Sequence, residues 1–223
     1  ERSIGAGAME HASLGASAEE PEPTDGVFEE IGDAHERELP GAAIYQIKAT
    51  LRGSRPRIWR RIRVTGDVTL GGLHDILQAI MGWHDHYSHR FVVEEITYGV
   101  PHPEYWPDVV DEDEVRLNEV AGEGSRFVYE YDFPSGWAHV LEVEKVLVPE
   151  PGQEVPVCIK GRRAAPPERM GSMRMYDYFL ETMQNPEHPE YPGNPEFLAS
   201  FGGDFDPARF DLDEVNAALR ELG

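Results

Sequence analysis

The chain has 223 residues, 40% of them hydrophobic, and a formal net charge of −22. That length and apolar content suffice for one sizeable packed domain plus an extension. The charge disfavours nucleic acid and anionic membranes as partners through long-range repulsion, and no run approaches the roughly 18 apolar residues of a membrane span.

Residues 1–40 are rich in Ala, Gly, Glu and Pro, lack an apolar period, and read as a disordered acidic arm in which Met9 is an alternative start. They contain no apolar signal-peptide core, and the lone Cys158 has no internal disulfide partner, so a cytoplasmic protein is expected. Residues 41–223 read as a single domain. Tyr45, Ile47, Ala49 and Leu51 alternate with Gln46, Lys48, Thr50 and Arg52, the period of two of a half-buried strand. After a turn at 53–56, Ile58, Ile62 and Val64 mark a second strand. Pairing the two as a hairpin gathers Lys48, Arg52, Arg61 and Arg63 on one face, a candidate anion-binding site. The other reading pairs these cations with the acidic residues 108–114 or with the arm.

Residues 69–91 organise the rest. Leu73, Ile76, Leu77, Ile80 and Met81 fall at i, i+3, i+4, i+7 and i+8, an amphipathic helix with Thr69 as N-cap and Gly82 as its left-handed end. Trp83, His84, Asp85, His86 and His89 follow directly. Residues 91–97 read as a strand, 99–108 as a proline-rich loop, and 108–114 as a solvated acidic stretch. Phe127, Tyr129, Tyr131 and Phe133 alternate up to Pro134-Ser135-Gly136, and Trp137, Leu141 and Val143 continue on a return strand. A two-residue loop would set Asp132 opposite Trp137 with His139 as its diagonal neighbour, whereas a three-residue loop would separate them.

Residues 175–183 read as a helix with Tyr176, Phe179, Leu180 and Met183 inward, and Asn194-Pro195-Glu196 as the start of a short one. Asp211 and Glu214 form the capping-box pattern of a last helix, whose stripe is Val215, Ala218, Leu219 and Leu222. The fold class is therefore α+β: a mixed or antiparallel sheet with the central amphipathic helix packed on one face, and C-terminal helices.

Four stretches, residues 56–91 (PRIWRRIRV, then TLGGLHDILQAIMGWHDHYSHRF), 129–139 (YEYDFPSGWAH), 156–172 (PVCIKGRRAAPPERMGS) and 203–219 (GDFDPARFDLDEVNAAL), together resemble the Ri-plasmid ORF-three-like family. Some of its members are labelled insertion-element passenger proteins, TnpR-like. The resemblance runs from about residue 43 to the C-terminus. It implies an α+β domain of the kind seen in an archaeal member and a protein often carried on mobile elements, and it brings no biochemical activity with it. Two departures stand out. Where many members have Asp-Phe-Gly-Asp before Trp-x-His, this chain has Asp132-Phe133-Pro134-Ser135. Where many have Pro-Pro-Glu-Asp-Cys-Gly-Gly, it has Pro166-Pro167-Glu168-Arg169-Met170-Gly171-Ser172, losing an acid and a thiol.

The candidate pocket comprises His84, Asp85, His86, His89, Asp132, Trp137, His139 and Glu168, at the C-terminal end of the central helix. A helix C-terminus and a nearby carboxylate both favour a protonated imidazole, so at least one of these histidines is expected to have a raised pKa. No cofactor is expected. A divalent metal on His84, His86, Asp132 and His139 is the exception considered, without a diagnostic spacing such as HExxH or paired CxxC to mark it. The other reading packs Trp83, Trp137 and Tyr87 over the sheet while the His and Asp side chains bond loop backbone. Phosphate-cradle, dinucleotide and nucleophile-elbow motifs are absent, as is a serine-recombinase signature. Cys158, although it precedes Lys160 and Arg162, reads as a buried strand thiol. The preferred function is a non-catalytic binding or interaction domain for a protein or small-molecule partner. The alternative is a metal-dependent or acid-base enzyme using the His/Asp cluster.

Overall fold

The alternating and amphipathic segments become elements, with two short strands and a short helix added between residues 96 and 120, seen in a computed structural model that describes residues 43–185, 187–188 and 205–222. The arm read over residues 1–40 and the short helix read at 194–196 lie outside the described residues. The strands are β1 (Ile44–Leu51), β2 (Trp59–Thr65), β3 (His89–Val93), β4 (Ile96–Gly99), β5 (Val110–Asp111), β6 (Arg126–Tyr131), β7 (Trp137–Leu147) and β8 (Val157–Arg162). The helices are α1 (Leu70–Met81), α2 (Leu117–Val120), α3 (Met173–Met183) and α4 (Leu212–Arg220), with a 3-10 turn at Glu168–Met170. All eight strands join one sheet in the order β5-β4-β3-β6-β7-β1-β2-β8. Its pairings are antiparallel except β4 with β5, so the class is α+β with a mixed sheet.

Helix α1 forms where its periodicity and caps direct. Thr69 Oγ1 accepts from Gly72 N at 3.0 Å, and Gly82 ends the helix at φ 67°, a left-handed geometry glycine adopts without a side-chain clash. Its stripe of Leu73, Ile76, Leu77, Ile80 and Met81 is buried in one core with Ile47, Ile62, Phe91, Tyr129, Tyr131, Trp137 and Leu141 from the strands. The cation that meets the carbonyl end of α1 is Arg60 of β2, whose Nε donates to Ile80 O at 3.0 Å, favourable with the helix dipole.

Several segments depart from expectation. The strand read over 91–97 is a β3–β4 hairpin turning at Glu94-Glu95, with Glu94 at φ 54° in place of the glycine or asparagine that usually marks such a turn. The loop between β6 and β7 is the five residues 132–136: Tyr131, not Asp132, stands opposite Trp137, and His139 faces Tyr129. The acidic stretch is not wholly solvated. Glu112 is buried, because Glu112 N donates to Gly99 O and Gly71 N donates to Glu112 O, drawing the segment against β4 and the first turn of α1. Gly71 permits this approach, since a methyl group there would overlap the Asp113 carboxylate. Helix α3 starts earlier than read, capped by Ser172. In α4, Asp211 caps as expected but Glu214 turns to Arg209, and Leu222 is exposed.

Candidate functional site

The turn that follows α1 is built by its backbone more than by its rings. Glu168, delivered by the 3-10 turn, accepts from His84 N at 3.1 Å and from His86 N at 3.3 Å, and it also accepts the Tyr131 hydroxyl proton. Burial pushes this carboxyl up, but the hydrogen bonds from Tyr131, His86 and His84 outweigh it and hold Glu168 below the usual range. Gln78, one turn from the end of α1, accepts from Asp85 N at 3.0 Å and so holds Asp85 at φ 52°. Trp83 lies over Tyr131 and donates from Nε1 to Pro166 O at 2.9 Å. The turn is thereby tied to α1, β6 and the segment before the 3-10 turn.

Beneath it lies a buried polar cluster that joins α1, β3 and the residue after β5. His74 and His89 stack in parallel with ring centroids 3.4 Å apart. His74 Nδ1 is 2.7 Å from the Tyr129 hydroxyl, which also accepts from Gln78 Nε2 at 2.8 Å. His89 Nε2 lies 2.7 Å from Glu112 Oε1. His74 Nε2 stands 3.0 Å from Asp85 Oδ1 without hydrogen-bond alignment, and it and Glu112 Oε2 are buried atoms lacking hydrogen-bond partners. Burial, reinforced by the neighbouring His89, lowers the His74 pKa to about 3, so the imidazole is neutral.

Above the cluster opens a cleft of about 680 Å³. Asp85 and His89 lie in its lining with Tyr87, Tyr105, Trp106 and Phe133. The aromatic walls are set by contacts between segments: Trp106 meets Phe133 at 5.1 Å, and the Arg90 guanidinium lies 5.2 Å over Phe133. Asp132 shapes the loop that presents Phe133. Its N–H donates to Ser88 O at 2.9 Å and its carboxylate accepts from the Ser135 hydroxyl.

The structure therefore divides the anticipated pocket. Asp85, His86 and His89 line the cleft, and His84 and Glu168 sit beside it with His84 exposed. Trp137 is buried, donating weakly to Glu168 O at 3.4 Å. His139 is 0% exposed in the core between Trp83 and Tyr129, with neither ring nitrogen hydrogen-bonded, and burial lowers its pKa to about 3. His84, His86, Asp132 and His139 do not converge as ligands. Among the described residues, the group whose ligand atoms all come within 4.8 Å of one another is His74, Asp85 and His89.

On the opposite strand pair, Lys48 and Arg61 are cross-strand neighbours as expected, but Arg61 holds Glu144 through two bonds of 2.5 and 2.6 Å, and Arg63 reaches Gln46 at 3.4 Å. Among the described residues, Arg61 and Arg63 are thus held by a β7 acid and a β1 amide, not by the acidic stretch. Lys48 and Arg52 border a second cavity of about 520 Å³ with Arg55, Arg57, Arg126 and Glu142.

Sequence reasoning missed His74 and Glu112. His74 was legible in principle: together with Leu70, Leu73, Leu77 and Met81 it occupies the inward side of the helical period, where a polar residue asks for a buried partner. Glu112 carries no such local signal, since it sits in an acidic run.

The fold is shared with known proteins. Residues 43–214 match the family model described as Plasmid pRiA4b ORF-3-like protein, and the chain belongs to that family. It is 31% identical over 183 residues to Uncharacterized protein y4hQ of Sinorhizobium fredii (strain NBRC 101917 / NGR234), covering 81% of this chain and 93% of that one. It is also similar to the crystal structure of the protein of unknown function MM3350 from Methanosarcina mazei Go1, with a TM-score of 0.71 and 32% identity over 78% of this chain and 98% of the other.

Proposed function

We propose that the domain is a binding module whose cleft takes a small planar ligand, neutral or cationic. The observation that carries this is the cleft itself. Its volume of about 680 Å³ falls in the range of small-molecule pockets, roughly 300–1,000 Å³. Tyr105 leaves 75% of its surface in solvent at the rim, where an aromatic ring that buries little in the free protein is available to stack on a flat ligand. Asp85 and His89 at the floor supply the few convergent polar groups that orient a ligand. The formal charge of −22 favours a ligand without negative charge and argues against nucleic acid. No described helix is long and apolar enough to cross a membrane. In this reading α1 lies across one face of the sheet and delivers the 82–88 turn to the cleft, and the protein acts by holding its ligand, as a cytoplasmic element carried with mobile DNA.

The test is a thermal-shift screen of planar heteroaromatic compounds against the full chain, followed by fluorescence quenching of Trp106 by each hit. Hits that quench, and that lose affinity in Phe133→Ala and Tyr105→Ala, support the cleft. Hits whose affinity ignores both substitutions, or a screen without hits, would overturn it.

A further inference from the structure

The cluster at the floor of the cleft has two features that a hydrogen-bonded core network does not explain. His74 is only 3% exposed, yet its Nε2, 3.0 Å from Asp85 Oδ1, has no hydrogen-bond partner, and the equally buried Glu112 Oε2 has none either. Folded proteins usually pair such buried atoms. We propose that His74, Asp85 and His89 bind a divalent transition-metal ion, with Glu112 as the residue that positions His89.

Each member is held by a neighbour that leaves a ligand atom available. His74 is anchored at Nδ1 by the Tyr129 hydroxyl, which leaves Nε2 as the free donor atom aimed into the site. Tyr129 has two lone pairs, so it can accept from both His74 Nδ1–H and Gln78 Nε2. Glu112 stands against the His89 ring as a carboxylate stands behind a metal-bound histidine, fixing its tautomer and orientation. Asp85 completes the set, and Gln78 grips its backbone. Ligand atoms about 2.0–2.2 Å from one ion lie at most about 4.4 Å apart, against a present limit of 4.8 Å. Binding therefore takes a rotation of the stacked His74 and His89 rings toward one ion, with Asp85, 55% of its side chain in solvent, following them.

Two imidazoles and one carboxylate select an ion such as Zn²⁺, Co²⁺ or Fe²⁺ over Mg²⁺ and Ca²⁺, which prefer oxygen alone. Asp85 and His89 both border the cleft, so the side of the ion away from His74 would face it and remain open to water or to a ligand's polar edge. The assignment stands apart from the planar-ligand reading, because an ion can bind with the cleft otherwise empty.

The experiment uses the full chain, purified without a histidine tag and stripped with chelator, titrated calorimetrically with Zn²⁺ and spectroscopically with Co²⁺. A single ion per chain is expected, undisturbed by excess Mg²⁺, with a Co²⁺ spectrum showing nitrogen ligation. His74→Gln should abolish it and Asp85→Asn weaken it. Glu112→Gln should weaken it about 10- to 100-fold, the usual effect of removing the carboxylate behind a ligand histidine. His84→Ala, which breaks up the exposed His84/His86 ring pair, should leave it unchanged. Absence of stoichiometric binding would overturn the proposal, as would binding that is lost in His84→Ala but retained in Asp85→Asn. Should His74→Gln fail to fold, Asp85→Asn on its half-exposed side chain decides the matter. Cleft ligands that quench Trp106 in a chain that binds no metal would sink this site and leave the proposed function standing.

Discussion

His74 and His84 belong to one helix and the turn that ends it, yet they have opposite fates. The ring of His74 is 3% exposed, stacked on His89 and fixed at one nitrogen by Tyr129, whereas the side chain of His84 is 75% exposed and only approaches Glu168, at 3.5 Å. In the histidine-rich turn it is the backbone that is used: Glu168 accepts from the N–H groups of His84 and His86. A run of histidines along the chain is therefore not a cluster in space. The chemically poised pair combines a helix residue with a strand residue, brought together by burial.

The largest effect is expected at the base of the buried side. Leu77→Ala should cost about 2–5 kcal/mol, because Leu77 is 1% exposed and its loss leaves a cavity, whereas Asp75→Ala on the exposed side should cost little. Denaturant titration of the two variants checks this, and equal costs would mean that the inward side of α1 is misassigned. Next comes the clamp. Glu168→Ala leaves the buried Tyr131 hydroxyl proton without its acceptor, though the oxygen still accepts from His86 N, and should cost about 1–3 kcal/mol, with hydrogen exchange accelerated at the His84 and His86 amides if the carboxylate is what orders the turn.

The pH dependence sharpens the contrast between buried and exposed rings. His139 is surrounded by Trp83, Tyr129 and the Arg60 guanidinium, and its pKa is lowered to about 3, against an unfolded value of about 6.5. The unfolded chain therefore binds the proton more readily between those values. Stability from the neutral ring is complete above about 6.5 and falls as the pH drops toward 3, by at most about 1.4 kcal/mol per pH unit. His139→Phe should flatten that acid limb in urea titrations at successive pH values, and an unchanged slope would show that other groups carry it. The smallest effect belongs to the exposed ring: His84→Ala should shift stability by no more than about 0.5 kcal/mol, and a melting curve displaced well beyond that would give this side chain a structural role that its exposure argues against.

Much of the fold could be read along the chain, and the reason differs by element. Helix α1 was legible because five apolar residues at helical spacing lie between a threonine cap and a left-handed glycine, all within one local segment. The β1–β2 and β6–β7 hairpins were legible from their period of two. The β3–β4 turn is hidden because Glu94-Glu95 lacks the residues that mark positive φ, and the β6–β7 loop length is ambiguous along the chain because Pro134, Ser135 and Gly136 fit more than one turn. The site was legible only by half. Asp85 and His89 stood out in a dense histidine stretch, while His74 hid on an apolar helix face and Glu112 in a run of acids.

The amino-acid sequence by itself determined the α+β class, the ends of α1, the inward faces of the main strands and the family, since caps and periods act between residues a few positions apart. The tertiary structure alone decided which polar side chains meet. Glu112 reaches His89 because β5 pairs in parallel with β4 and its flanking backbone bonds the first turn of α1 past Gly71, and His139 is neutral because β7 turns it into the core. Those outcomes depend on desolvation and on contacts between distant segments, to which no local pattern responds.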